Sequence, residues 1–209
     1  VLLRHGRTAW NDSGRAQGHA DVGLDEVGHA QAADVASYLA AMGPVALWTS
    51  DLARARQTCS YVERATGLEP KVDERLREFD VGDRRGMTSA EFQQAFPAAY
   101  ADWVAGAETH RVPGAELASE VASRIVPALR ECLGSLAAGE TGVVVTHGAA
   151  LKVGVVGLLG WPAAQTADLR GIDNCGWVSL VAGPGAGDRP RLAGYNLRAG
   201  RSGGGVTDL

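Results

Sequence analysis

GVVVTHGAALKVGVVGLL occupies residues 142–159. Its first half is a run of β-branched apolar residues that is too short for a helix and apolar at every position, the pattern of a strand buried on both faces. Its second half, beyond His147-Gly148, is apolar over helical length. A buried strand that passes directly into a helix is the repeating unit of a parallel sheet covered by helices.

The same alternation recurs outward from this stretch. VALWTS (45–50) reads as a buried strand, with a helix from Asp51 to about Ala65 after it. VLL (1–3) reads as the end of a short buried strand, and residues 25–42 as a helix with Asp25 as N-cap. KVD (71–73) reads as a short edge strand, and residues 89–104 and 116–137 as helices, the second bent at Pro127. WVSLV (177–181) and RLAGYN (191–196) flank a Gly/Pro-rich turn and read as an antiparallel hairpin. The expected fold is α/β: a single three-layer α/β/α domain over residues 1–199, with a mainly parallel central sheet, helices on both faces and a C-terminal antiparallel hairpin. Residues 200–209 read as a flexible Gly-rich tail.

Composition narrows the function classes. The 209 residues suffice for one well-buried core, and a formal net charge of -4 leaves no electrostatic footprint for nucleic acid. No apolar run approaches the roughly 20 residues of a membrane span, and no secretory leader is read. Cys59, Cys132 and Cys175 are scattered and odd in number, which argues against a disulfide framework and for a reducing cytoplasm.

Ligands of such sheets bind at the carboxyl ends of strands. Three polar motifs fall at such ends: Arg4-His5-Gly6, Thr49-Ser50-Asp51 and Thr146-His147-Gly148. Guanidinium and imidazole groups gathered there are suited to phosphoryl transfer, which needs fixed donors around three charged oxygens, a nucleophile and an acid. Arg4, Arg54 and Arg7 are candidate clamps, and His147 adds a donor. His5 is the candidate nucleophile. For that role its ring must be neutral, and flanking arginines should depress its pKa.

RHGRTAWN (4–11), SDLARARQT (50–58), LREFDVGDRRGMT (76–88) and VVVTHGAALK (143–152) resemble, in order, four motifs of the histidine phosphatase superfamily, in the branch that includes the cofactor-dependent phosphoglycerate mutases. The resemblance runs over about residues 2–155. It implies a metal-independent phosphomonoesterase that passes through a phosphohistidine on His5, with Glu78 as the acid. It further implies that Arg4, Arg54, His147 and Asn11 hold the phosphoryl group, with help from the Gly148 N–H, and that Gln17 and Gly18 line the pocket. No metal and no cofactor are expected. The implied partner is a small phosphoester, such as a sugar phosphate or a phosphoglycerate, with no nucleic acid or membrane, and a homodimer is the expected assembly. The C-terminal DNCGWVSL and RLAGYNL stretches resemble members that dephosphorylate glucosyl-3-phosphoglycerate.

Two departures from the family pattern stand out. Arg84 and Arg85 replace the Trp-Glu common in the acid segment, and read either as two solvated arginines or as a feature favouring a substrate with a second acidic group. Pro113-Gly114-Ala115-Glu116-Leu117 only partly matches the family's Pro-Gly-Gly-Glu-Ser, leaving Glu116 as no more than a helix start. The short spacing between motifs and the glycine-rich tail favour hydrolysis over the mutase alternative, and a non-catalytic phospho-ligand module is the third reading. His19, His29 and His110 read as structural or exposed.

Overall fold

The computed structural model describes residues 1–107, 111–183 and 189–200. Four strands run parallel: β1 (Leu2–Arg4), β2 (Pro44–Thr49), β3 (Lys71–Val72) and β4 (Thr141–Thr146). β5 (Trp177–Val181) joins β1 antiparallel, and β6 (Arg191–Leu197) closes the expected hairpin against β5. The sheet order is β3-β2-β4-β1-β5-β6. The strands that end in the three polar motifs are therefore immediate neighbours, with their carboxyl ends on one side.

Successive side chains alternate across the sheet, and this divides the core. Leu2, Trp48 and Val144 join a cluster with Val121, Ile125, Leu129, Leu151 and Val155 from α6 (Ala118–Gly134) and α7 (Gly148–Leu159). Leu3, Leu47, Val143 and Val145 face the opposite layer, with Val35 and Leu39 from α2 (Glu26–Ala40) and Val62 from α3 (Ala53–Thr66). β4 lies between β2 and β1 with helices on both faces, which accounts for its unbroken apolar run. Asp25 caps α2 as expected, its carboxylate accepting the Gly28 N–H at 2.8 Å. Burial pushes the Cys59 and Cys175 thiols up to about 12 and Cys132 to about 11, and all three are free.

The helix read over 89–104 is two helices, α4 (Ser89–Ala95) and α5 (Pro97–Val104). Pro97 cannot donate to the preceding turn and disfavours helical backbone at Phe96, which sits at φ -135°. These helices form a small third cluster around Phe92, Ala99 and Val112. α6 begins at Ala118 and carries Pro127 in its interior. A short helix, α1 (Ala9–Asp12), was not expected; the Thr8 and Asn11 side chains cap each other's backbone there.

Gly6 has a packing role. A β-carbon on it would stand 2.5 Å from the Gly28 carbonyl, and one on Gly28 would stand 2.0 Å from the Arg7 carbonyl. The loop leaving β1 thus lies backbone to backbone on the first turn of α2, which fixes where Arg4 and His5 sit. No helix among the described residues is long and apolar enough to cross a membrane. Residues 201–209, nearly all of the expected tail, and His110 lie outside the described residues.

Candidate active site

Arg4 pairs with Thr146 across β1 and β4, and the His5 N–H donates to the Thr146 carbonyl at 3.0 Å. His5 and His147 therefore leave the sheet side by side, with ring centroids 5.2 Å apart. His5 is 2% exposed and His147 fully buried. The His5 Nδ1–H donates to the Gly6 carbonyl at 2.7 Å, which leaves the lone pair on Nε2. Burial first, then the charges of Arg54 and Arg4, hold the His5 pKa well below its usual value.

His147 is oriented by Ser50. The Ser50 hydroxyl oxygen accepts the Leu52 N–H at 3.3 Å, so its proton can go to His147 Nε2, 2.9 Å away. The remaining proton of a neutral ring then sits on Nδ1, which is buried and has no partner among the described residues. Burial, followed by Arg54, His5 and Arg4, keeps this ring neutral as well.

Arg54 sits in the first turn of α3 and is fully buried. Its two terminal nitrogens donate to the Gly18 and Ala20 carbonyls at 2.8 Å each, while its Nε has no partner among the described residues. Burial lowers its pKa to about 10 despite the nearby Glu78 and Asp21 carboxylates. Gly18, at φ +51°, contributes to the site through that carbonyl. Arg4 donates to the Ile172 carbonyl at 2.5 Å, and its Nε is likewise buried without a partner among the described residues. A β-carbon on Gly148 would stand 3.2 Å from Arg4 Nε, so glycine lets the guanidinium lie against the start of α7. Arg7 turns elsewhere, pairing with Asp12 at 2.6 Å and Asp25 at 2.9 Å.

Glu78 closes the constellation from the far side. Its carboxylate accepts the Ala149 and Ala150 N–H groups at 3.0 and 2.8 Å, and the Phe79 N–H at 3.0 Å. It thus lies against the amino end of α7 and takes up two of the N–H groups that have no partner within the helix. Gln17 accepts the Thr8 hydroxyl at 3.0 Å. The Asn11 side-chain oxygen takes the Thr8 N–H and an amide proton of Asn174, which leaves its own amide N–H groups as donors. Asn174 also holds the His5 carbonyl at 3.1 Å; the sequence placed it in DNCGWVSL, and Ser50 in the Thr49-Ser50-Asp51 motif, without giving either a role of its own. The two arginines of the acid segment part ways. Arg85 is exposed and pairs with Asp80. Arg84 is half-buried, its guanidinium 4.4 Å over the Phe92 ring and 4.5 Å over Trp103, so the solvated reading fails for it.

Two imidazoles held neutral by burial predict a stability profile. Below about pH 6.5 the unfolded chain protonates these rings and the folded chain does not, so stability falls as pH is lowered. Each ring contributes a slope of up to about 1.4 kcal/mol per pH unit. Urea unfolding at pH 7, 6 and 5 should show this decline, and the double variant His5→Ala, His147→Gln should flatten it. An unchanged slope in that variant would show the rings are not buried neutral.

The family model described as histidine phosphatase superfamily (branch 1) matches residues 1–197. The chain belongs to the histidine phosphatase superfamily. Within this superfamily it is 34% identical over 187 residues to the glucosyl-3-phosphoglycerate phosphatase of Mycolicibacterium vanbaalenii, covering 87% of this chain and 83% of that one. It is 37% identical over 200 residues to the probable phosphoglycerate mutase GpmB of Erwinia tasmaniensis, covering 87% and 91%. A solved mycobacterial glucosyl-3-phosphoglycerate phosphatase in complex with VO3 superposes with a TM-score of 0.86 at 34% identity, over 93% of this chain and 97% of that chain. The histidine phosphatase fold thus extends over the α/β/α sandwich and its hairpin.

Proposed function

We propose that this histidine phosphatase hydrolyses a small phosphomonoester through a phosphohistidine. The observation that carries the reading is a set of three buried donors without partners among the described residues, Arg4 Nε, Arg54 Nε and His147 Nδ1, around the neutral His5. Buried donors left unpaired are costly unless a ligand satisfies them, and a phosphoryl group offers three acceptor oxygens.

His5 Nε2 attacks phosphorus and the bond to the leaving oxygen breaks, while protonated Glu78 gives its proton to the departing alkoxide. The Glu78 carboxylate then takes a proton from water, whose oxygen attacks the phosphohistidine. Phosphate leaves, and His5 and protonated Glu78 are restored. Arg4, Arg54, His147 and Asn11 hold the oxygens through both steps, with the Gly148 N–H beside them, and Gln17 and Gly18 shape the wall. The names of the mycobacterial relatives support a phosphorylated, carboxylate-bearing sugar conjugate as the substrate class. The GpmB likeness supports the mutase as the second reading. Three free thiols support a reducing, cytoplasmic setting.

Phosphate release from a panel of phosphomonoesters, with EDTA present throughout, tests the assignment. Release that survives the chelator and ranks glucosyl-3-phosphoglycerate high is expected. Isomerisation of 3-phosphoglycerate stimulated by 2,3-bisphosphoglycerate, without net phosphate release, would replace hydrolysis by the mutase reading.

A further inference from the structure

Glu78 sits in irregular chain between two short 3₁₀ turns, Glu74–Leu76 and Gly82–Arg84. Such a segment has no ladder of its own to fix a side chain, and an acid misplaced by about 1 Å can cost on the order of 10²-fold in rate. The backbone here is instead held by a side chain from α6, which shares a core cluster with Leu76 and Phe79. Arg124, in the middle of α6, donates to the carbonyls of Arg75 at 3.0 Å, Arg77 at 2.7 Å and Glu78 at 2.8 Å. The same guanidinium forks onto Glu116 at 2.9 and 2.8 Å, and Glu116 accepts the Asp80 N–H at 2.8 Å. The His19 Nε2–H also donates to the Glu78 carbonyl at 2.8 Å.

We propose that Arg124, braced by Glu116, is the positioning residue that fixes Glu78 in its proton-donating place. The inference rests on the reading of Glu78 as the acid. All five guanidinium N–H groups of an arginine project in one rigid plane, so one side chain can gather three carbonyls and a carboxylate, which lysine cannot. Burial works against the Glu116 charge, but Arg124 and the Asp80 N–H outweigh it and hold the carboxyl below its usual range. Arg124 also contributes to keeping His147 neutral. The family-like Pro113–Leu117 stretch therefore serves the acid segment, beyond starting α6.

The test uses two esters that differ in their need for an acid. Glycerol phosphate releases a basic alkoxide that must be protonated, whereas 2,4-dinitrophenyl phosphate releases a stable anion. The ratio kcat/KM, which reports the first bond cleavage, is measured for both with Arg124→Gln, Arg124→Lys and Glu78→Gln. Arg124→Gln and Arg124→Lys should lose about 10²-fold on the alkyl ester and under about threefold on the aryl ester. Glu78→Gln should show the same asymmetry, larger. Equal losses on both esters, or no loss, from Arg124→Gln would overturn the proposal and make Arg124 structural. If Glu78→Gln itself shows no asymmetry, it is the acid assignment that fails. Should Arg124→Gln lose its cooperative urea transition, Glu116→Gln is read in the same way, and symmetric losses there overturn the proposal.

Discussion

His5→Ala is expected to reduce kcat/KM for every phosphomonoester by at least about 10⁴-fold while leaving the chain folded at neutral pH. The loss should be this large because, among the described residues of the site, His5 alone is proposed as the nucleophile. Arg4, Arg54 and His147 can only hold the phosphoryl group, and Glu78 is tied to the amino end of α7. Rapid acid-free quenching of the wild type with a ³²P-labelled substrate should trap an acid-labile, base-stable label on the protein. The variant should carry none. Residual turnover within tenfold of wild type, or a label retained in His5→Ala, would move the nucleophile elsewhere.

Arg54→Ala should lower kcat/KM by about 10²–10³-fold, and the pH profile of what remains should change in a defined direction. Burial is the main reason His5 stays neutral, and Arg54 is the larger of the two cationic contributions. Removing it raises the pKa of His5. The ring then needs a higher pH to be unprotonated, so the acid limb of the kcat/KM profile moves upward. His147 should follow in the same direction, since Arg54 is also its leading charge perturbation. A drop in rate with an unshifted acid limb would mean that Arg54 binds the phosphoryl group without tuning the imidazoles.

Much of this was legible in the residues, for identifiable reasons. Val143, Val144 and Val145 could be uninterruptedly apolar only on a strand covered on both faces, and β4 is that strand. The three polar motifs announced one pocket because strand ends are where a parallel sheet leaves backbone and side chains exposed. The break at Phe96 was legible too, from Pro97, but helical periodicity across 89–104 obscured it. What stayed hidden depends on contacts between distant residues. Asn174 reaches the His5 carbonyl from 169 positions away, and nothing in its neighbourhood signals that. Ser50 could be read as part of a motif, but not as the side chain that meets His147 Nε2 at 2.9 Å. Arg84 looked like a surface cation because its partners, Phe92 and Trp103, become rings beneath it only when α4 and α5 fold back.

The placement of His5 and His147 immediately beyond the register pair Arg4 and Thr146 has a wider consequence. Their ring separation of 5.2 Å is close to the roughly 4.8 Å between neighbouring strands. The sheet therefore acts as a ruler for the chemistry, and side-chain substitution can hardly retune it. The helices and loops around Phe92 and Trp103 carry no such measure. Substitutions there can rearrange the packing under Arg84 while the spacing of the two imidazoles, set by β1 and β4, stays as it is.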